Sequence, residues 1–357
     1  MKILFFGIYD REYARNKVIV DGFIENGVEV VHCNVNPRHH KGFKKYWLLF
    51  KEYQKIKNNN NFDFIFVGFP GHTCVWMAKI LFWNKKIIFD VFISQYASNV
   101  VDRKVYKKYS FNSYKSWFLD WYSVNLADVV VIDADEHIKA FGRNYGLKKE
   151  KAIRIFLSSG LKPVDKPKDL RGRKEFIVHY HGTYIGLHGM EHIIMAAKMV
   201  ETNPRIVFRM VGSGQLLEQT KNQAESLELK NIEFLGRLPE YQDVLNRIND
   251  CDVLLGSFGT TERGKWVIMN KVYEGMVFGK AIISAETPAM KELFTDRKNV
   301  LFCQAGDARD LANKIIELEK DEDLKERIGL GALNLFKEKL SPKMLIKDFL
   351  IDLKKII

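Results

Sequence analysis

Short apolar runs alternate with stretches of helical periodicity twice over along the 357 residues, and no other feature restricts the fold so much. K-I-L-F-F-G, V-E-V-V-H-C, F-D-F-I-F-V-G, K-K-I-I-F-D and A-D-V-V-V-I-D have the length and composition of buried strands. Between them, residues 16–27, 44–57, 75–83 and 113–126 read as helices. Strand and helix in alternation imply a parallel sheet with helices on both faces. Residues 162–174, K-P-V-D-K-P-K-D-L-R-G-R-K, combine two prolines, a glycine and dense charge, which is poor core material. A second alternation follows: F-I-V-H-Y-H-G, R-I-V-F-R-M-V-G-S-G, I-E-F-L-G, D-V-L-L-G, K-A-I-I-S and V-L-F-C, with helices expected between them. The length exceeds what one core usually supports. The expected fold is α/β: two doubly wound, Rossmann-like domains, residues 1–165 and 172–340, facing across a cleft that loops at the C-terminal strand ends would line. Residues 341–357 place Pro342 just inside a helix start, with apolar residues at helical spacing.

Composition narrows the setting. The longest apolar runs, such as 75–83, are interrupted by Lys79 and fall short of the ~20 residues that cross a bilayer. The apolar N-terminus has no small-residue cleavage site after it and reads as a first strand. Cys33, Cys74, Cys251 and Cys303 lack C-x-x-C spacing, so neither a disulfide framework nor a zinc site is indicated, and a reducing cytoplasm fits. The net charge of +12 is unevenly spread: residues 1–166 hold 27 Lys and Arg against 16 Asp and Glu, and the remainder 29 against 28. An excess confined to the first half points to an anionic partner there.

Three loops of the second half have the chemistry for a nucleotide. Gly182, Gly186 and Gly189 in H-Y-H-G-T-Y-I-G-L-H-G mark a strand-to-helix turn where backbone N–H groups suit a phosphate. M-V-G-S-G-Q-L-L-E contributes Gly212 and Gly214, and F-L-G-R-L-P-E contributes Arg237. None has G-x-G-x-x-G spacing, and the first turn of the N-terminal half offers Gly7 alone, which argues against a nicotinamide or flavin cofactor.

Taken in order, the strand ending in G-T, the L-H-G helix start, V-G-S-G, F-L-G-R-L, C-D-V-L-L and K-V-Y-E-G-M-V-F-G-K-A-I-I-S resemble the donor domain of family 4 glycosyltransferases over residues 176–320. The resemblance implies a GT-B fold, with the C-terminal helix packing back on the first domain. It also implies retaining, metal-independent transfer from a nucleoside-diphosphate sugar, needing no further cofactor. It places Glu274 at the donor's ribose, a role suited to a carboxylate because two oxygens accept from a vicinal diol. The family's other glutamate, eight residues earlier, is here Trp266. Its usual Arg and Lys after the first strand of this domain are here Thr183 and His188. A diphosphate left unneutralised would cost several kcal/mol, so Arg263, Lys265 or Lys271 is expected to substitute, Arg263 and Lys271 foremost. Asn270 would offer polar contacts to the sugar; a solvated charged loop accounts equally for Arg263 and Lys265, and a solvated helix glutamate is the alternative to the ribose role of Glu274.

In the first domain, G-F-P-G-H-T and D-V-F-I-S follow strands, so His72 and Asp90 are candidates to orient an acceptor hydroxyl, with Arg15, Asp102 and Arg103 as further polar groups. D-A-D places Asp133 and Asp135 at a strand end in the wrong domain for donor metal binding, and both are read first as helix caps. Residues 38–57 and 103–122 mix lysines with Trp, Tyr and Phe, which suits an anionic membrane surface as well as a solvated lysine face over buried aromatics. A glycan or lipid-linked acceptor is the expected partner. No nucleic-acid-binding signature accompanies the charge. An epimerase of the same shape and a non-catalytic nucleotide-sugar-binding protein are the alternatives.

Overall fold

The computed structural model describes residues 1–39, 42–58 and 61–356, which form two compact units, Met1–Gly160 with Leu340–Ile357, and Leu161–Lys339. His40 and Lys41 of the basic segment lie outside the described residues.

The first unit contains β1 (Lys2–Ile8), α1 (Ala14–Glu25), β2 (Glu29–Val35), α2 (Lys44–Ile56), β3 (Phe64–Val67), α3 (Val75–Leu81), β4 (Lys86–Asp90), α4 (Phe111–Leu126), β5 (Val129–Ile132), α5 (Asp135–Tyr145) and β6 (Ala152–Arg154). Its sheet is parallel in the order β2-β1-β3-β4-β5-β6. Side chains of a strand alternate between faces. One set, Leu4, Phe6, Ile65, Val67, Ile87, Phe89, Val130 and Ile132, packs under Leu49 of α2, Val75 and Ala78 of α3, Val124 of α4 and Phe141 of α5. The other set includes Phe5 and Phe66, whose rings stack with centroids 5.0 Å apart, and Phe66 meets Phe23 of α1.

The chain's final helix joins that second face. Phe349 lies 5.9 Å from Phe23 and 6.3 Å from Phe66, and Asn26 Nδ2 donates to Lys343 O at 2.8 Å. Ile346 and Phe349 are closed to solvent, and such burial contributes roughly 1.5–3 kcal/mol per side chain. Gly22 of α1 is there because any Cβ would overlap the carbonyl of Pro342.

The second unit contains β7 (Phe176–Thr183), α6 (Met190–Val200), β8 (Ile206–Ser213), α7 (Leu217–Ser226), β9 (Ile232–Gly236), α8 (Tyr241–Asn249), β10 (Val253–Leu255), α9 (Asn270–Val277), β11 (Ala281–Ala285), α10 (Pro288–Lys291), β12 (Leu301–Cys303), α11 (Ala308–Lys320) and α12 (Glu322–Lys339). The final helix of the first unit is then α13 (Pro342–Leu353). The second sheet is parallel in the order β12-β11-β10-β7-β8-β9, so the direction of winding reverses between β7 and β10. Ligands of such sheets bind beyond the strand ends at this reversal.

Three elements that the apolar pattern does not announce are α5, β6 and α12. In α12 two glycines, Gly329 and Gly331, lower helix propensity. They are required because a Cβ at either would overlap a carbonyl of a neighbouring segment, that of Gly279 or of Lys298. The D-A-D reading needs correction: the N-cap position of α5 is Ala134. Asp133 instead accepts from His137 Nδ1 at 2.6 Å, and Asp135 sits in the first turn, where its charge complements the helix dipole and pairs with Arg154.

Candidate functional site

Strand β7 carries F-I-V-H-Y-H-G-T to the winding reversal. Tyr180 points into the core under α6 and α11, which leaves His179 and His181 on the opposite face with rings stacked 5.3 Å apart. On that face α9 brings Glu274. His181 Nε2 donates to Glu274 Oε2 at 2.6 Å, and Tyr241 Oη at the start of α8 donates to Oε1 at 2.6 Å. Burial alone would push the Glu274 carboxyl up. The hydrogen bond and charge of His181, with Tyr241 and Lys271, outweigh it and hold the pKa below the ordinary glutamate value.

Lys271, one turn earlier on α9, points toward the loop after β7. Its Nζ lies 3.7 Å over the Tyr180 ring and donates to His188 Nδ1 at 3.4 Å. Burial drives the Lys271 pKa well below the usual lysine value, against the opposing pull of Glu274. His188 is driven down as well, by burial first and by Lys271 next. The Lys271 Nζ is thus enclosed by aromatic rings, an imidazole and one carboxylate, a setting that weakens its hold on a proton.

The glycines serve as points of close approach. Gly182, at φ 142°, abuts Lys271: a Cβ there would sit 3.2 Å from Nζ. Gly212, at φ 130°, lies opposite Gly182 in the β7–β8 register, and a Cβ would overlap the Gly182 carbonyl. Gly214 meets the backbone of Tyr184, and Gly189 meets that of Gly259 in the loop after β10. The loops after β7, β8 and β10 are therefore packed backbone to backbone, and Lys271 enters beside the first.

Of the other residues singled out from the sequence, Thr183 is exposed at the end of β7, and Arg237 is exposed just beyond Gly236, the last residue of β9. Arg263 lies on a 3-10 turn, Glu262–Lys265, partly buried, with its pKa lowered to about 10 by burial. Lys265 is exposed and pairs with Glu262 at 2.8 Å. Asn270 is the exposed first residue of α9, and Trp266 follows the 3-10 turn. The geometry thus brings Gly182, Gly212, Lys271 and Glu274 together, with Asn270 at the same helix start.

Two residues of this arrangement have no motif behind them: His181 and Tyr241. The available signal was position, since a polar side chain at the C-terminal end of a central strand must find a partner when buried.

In the first unit, His72 is buried in the loop after β3, with Nε2 3.2 Å from Asp120 Oδ1 and its ring edge-on to Phe89 at 5.2 Å. Asn16 clamps this loop, donating to Phe69 O at 2.6 Å and accepting from Phe69 N at 3.0 Å. Asp90 is closed to solvent and both its oxygens accept from Arg15, at 2.9 and 3.1 Å, while Arg15 also donates to Ile155 O and Phe156 O. That placement makes Asp90 a partner of Arg15 rather than a group open to an acceptor hydroxyl. Asp102 is buried near the end of a π-helical turn and Arg103 is exposed beside it.

The chain is similar to known proteins. Residues 162–333 match the family model "Glycosyl transferases group 1". Lipopolysaccharide core biosynthesis glycosyltransferase LpsD of Rhizobium meliloti is 26% identical over 235 residues, 65% of this chain and 64% of that protein. Uncharacterized glycosyltransferase MJ1178 of Methanocaldococcus jannaschii is 28% identical over 148 residues, 42% of this chain and 39% of that protein. These alignments therefore span less than two thirds of either relative. In structure, the chain resembles Anabaena Alr3699/HepE, crystallised in complex with UDP and glucose, at a TM-score of 0.70 over 99% of this chain and 100% of that one, with 16% identity. The fold is GT-B, and within it residues 162–333 are similar to the glycosyl transferases group 1.

Proposed function

We propose that the chain is a retaining glycosyltransferase of the family 4 kind. It would move a sugar from a nucleoside diphosphate to a glycan or lipid-linked acceptor, without a metal, at the cytoplasmic side of a membrane. The observation that carries the reading is the pairing of Glu274 and Lys271 on one face of α9 at the winding reversal of the second sheet. A carboxylate there accepts from a ribose diol, and the enclosed Lys271 amine beside the glycine loop would compensate a diphosphate by taking up a proton as it binds. Complexes of the Anabaena neighbour with UDP and with UDP-glucose support a nucleotide-sugar donor.

In this reading Lys271 takes the part that Thr183 and His188 cannot, with Arg263 as the second cation. The sugar would meet Asn270, and the loops holding Gly182, Gly212 and Gly214 would line the donor, with Arg237 at the nucleoside end. Transfer with retention, in which the leaving phosphate helps remove the acceptor proton, asks the protein for positioning and charge stabilisation. Calorimetry with UDP and a panel of nucleotide sugars tests the donor half. Slow release of nucleoside diphosphate without acceptor, with the sugar retaining its anomeric configuration by NMR, is the expected turnover. Formation of an epimeric nucleotide sugar, or binding with no turnover of any donor, would remove the transferase reading.

A further inference from the structure

Helix α4 is inverted. A surface helix normally buries its apolar stripe and exposes its polar one, but here Ser113, Ser116, Asp120 and Ser123 face inward with Val124. Outward stand Phe111, 83% exposed, Tyr114, Trp117, Phe118 and Trp121. The inward carboxylate is satisfied: Asp120 accepts from Ser94 Oγ at 2.7 Å and from the N–H groups of Gln95 and Tyr96 at 2.9 Å. The arrangement is therefore stable as it stands with its aromatics outward; of these Trp117 is also tied to α5, its Nε1 donating to Asn144 O at 3.2 Å.

The same side of the sheet continues the surface. Leu49 of α2, Val75 and Ala78 of α3 and Val124 of α4 share one core, so the three helices cover one sheet face. Outward, α3 and the residues after it show Trp76, Ile80 and Trp83, the last 83% exposed, and α2 shows Trp47 and Phe50. Lysines lie among these rings: Lys51 Nζ is 3.7 Å over Trp47, and Lys104, Lys107, Lys108 and Lys115 are exposed at or before α4. Within 103–122 the sole acidic residue is Asp120, which is buried, and 42–51 contain none.

We propose that this face, formed by α2, α3 and α4, docks on the anionic leaflet of a lipid bilayer. Indole and phenyl rings interleaved with lysines match the boundary of headgroups and acyl chains, where rings enter and ammonium groups stay among phosphates. A second copy of the chain would set lysines against lysines, a repulsive pairing. The inference deepens the lipid-linked acceptor reading above and rests on it only for its purpose, because docking is measurable without a donor.

The test sediments the full chain with vesicles of phosphatidylcholine alone or mixed with phosphatidylglycerol, alongside ultracentrifugation without lipid and calorimetry with UDP. Expected is binding to the mixed vesicles alone, weakened by added salt. Trp83→Ser/Phe111→Ser/Phe118→Ser, which alters only exposed side chains, should lose tenfold or more with an unchanged melting curve. Lys107→Ala and Lys108→Ala should each lose about fivefold. Absence of binding at low salt, or equal binding to both vesicle types, overturns the proposal. So does a wild-type dimer that the triple variant abolishes, since a second copy would then cover the face. Vesicle binding without UDP binding would leave this surface standing and remove the donor reading, and UDP binding without vesicle binding would do the reverse.

Discussion

Glu274 and His181 are joined at 2.6 Å across the space between α9 and β7, and the second oxygen of Glu274 is taken by Tyr241 from α8. Three elements thus fix one carboxylate in a buried setting where an unsupported charge would be costly. His181 is a backbone neighbour of Gly182, so the strand that sets the glycine loop also sets the acid.

Removing that support should loosen the acid without unfolding the sheet. His181→Ala leaves a buried carboxylate short of one donor, at a cost of about 1–3 kcal/mol. The expected reading is a UDP dissociation constant raised roughly tenfold or more, with the melting curve shifted by a few degrees. Tyr241→Phe separates the two donors. Its hydroxyl occupies the oxygen that a ribose diol would need, so its loss should leave UDP affinity unchanged or tighten it. A tenfold weakening in Tyr241→Phe would show that the hydroxyl stays with the ligand.

Lys271 gives a dependence on pH. Burial lowers its folded pKa, so below the ordinary lysine pKa of ~10.4 the unfolded chain holds the proton more tightly than the folded one. Stability should therefore rise as pH climbs from the folded value toward the unfolded one, and Lys271→Met should flatten that part of the curve. A diphosphate placed beside Nζ reverses the balance by favouring the ammonium. UDP binding should then take up protons, seen as a binding enthalpy that varies with buffer ionisation enthalpy, and affinity should fall at alkaline pH. Proton uptake unchanged in Lys271→Met would sink the assignment.

Gly212 tests the packed loops. Alanine there must hold φ 130° and displace the Gly182 carbonyl, and neither is cheap because the obstacle is backbone. Gly212→Ala combines backbone strain with a carbonyl clash and should cost the second unit about 3–5 kcal/mol and weaken UDP binding, whereas alanine at Gly172, with open space around its Cβ position, carries only the strain of φ 78°, about 1–2 kcal/mol. Equal melting temperatures for the two variants would count against this account.

The sheets were legible because their strands are buried on both faces and read as unbroken apolar runs, as in F-D-F-I-F-V-G and K-A-I-I-S. Helix α12 was hidden by Gly329 and Gly331, whose reason is contact with segments distant in sequence. The site divides in the same way. Glu274 was named from an ordered series of motifs and Lys271 from the cations missing at Thr183 and His188, while His181 and Tyr241 act through side-chain positions set by three-dimensional packing. Asp90 shows the converse. Its place after a strand suggested ligand contact, but Arg15, 75 residues earlier, already holds both oxygens.

The Arg15–Asp90 pair links α1, β4 and the backbone at 155–156, with both side chains closed to solvent. Breaking a buried pair by removing one partner strands a charge, at about 3–5 kcal/mol, whereas removing both with apolar groups of similar size is often neutral. Arg15→Met and Asp90→Leu should each lower the first unit's unfolding midpoint strongly, and Arg15→Met/Asp90→Leu should recover most of the loss. Tryptophan fluorescence reads this unit selectively, because Trp47, Trp76, Trp83, Trp117 and Trp121 lie within it and Trp266 alone in the other. If the double variant were as unstable as the two single losses added together, the pair would be holding the backbone at Ile155 and Phe156 through the Arg15 hydrogen bonds rather than through its charge.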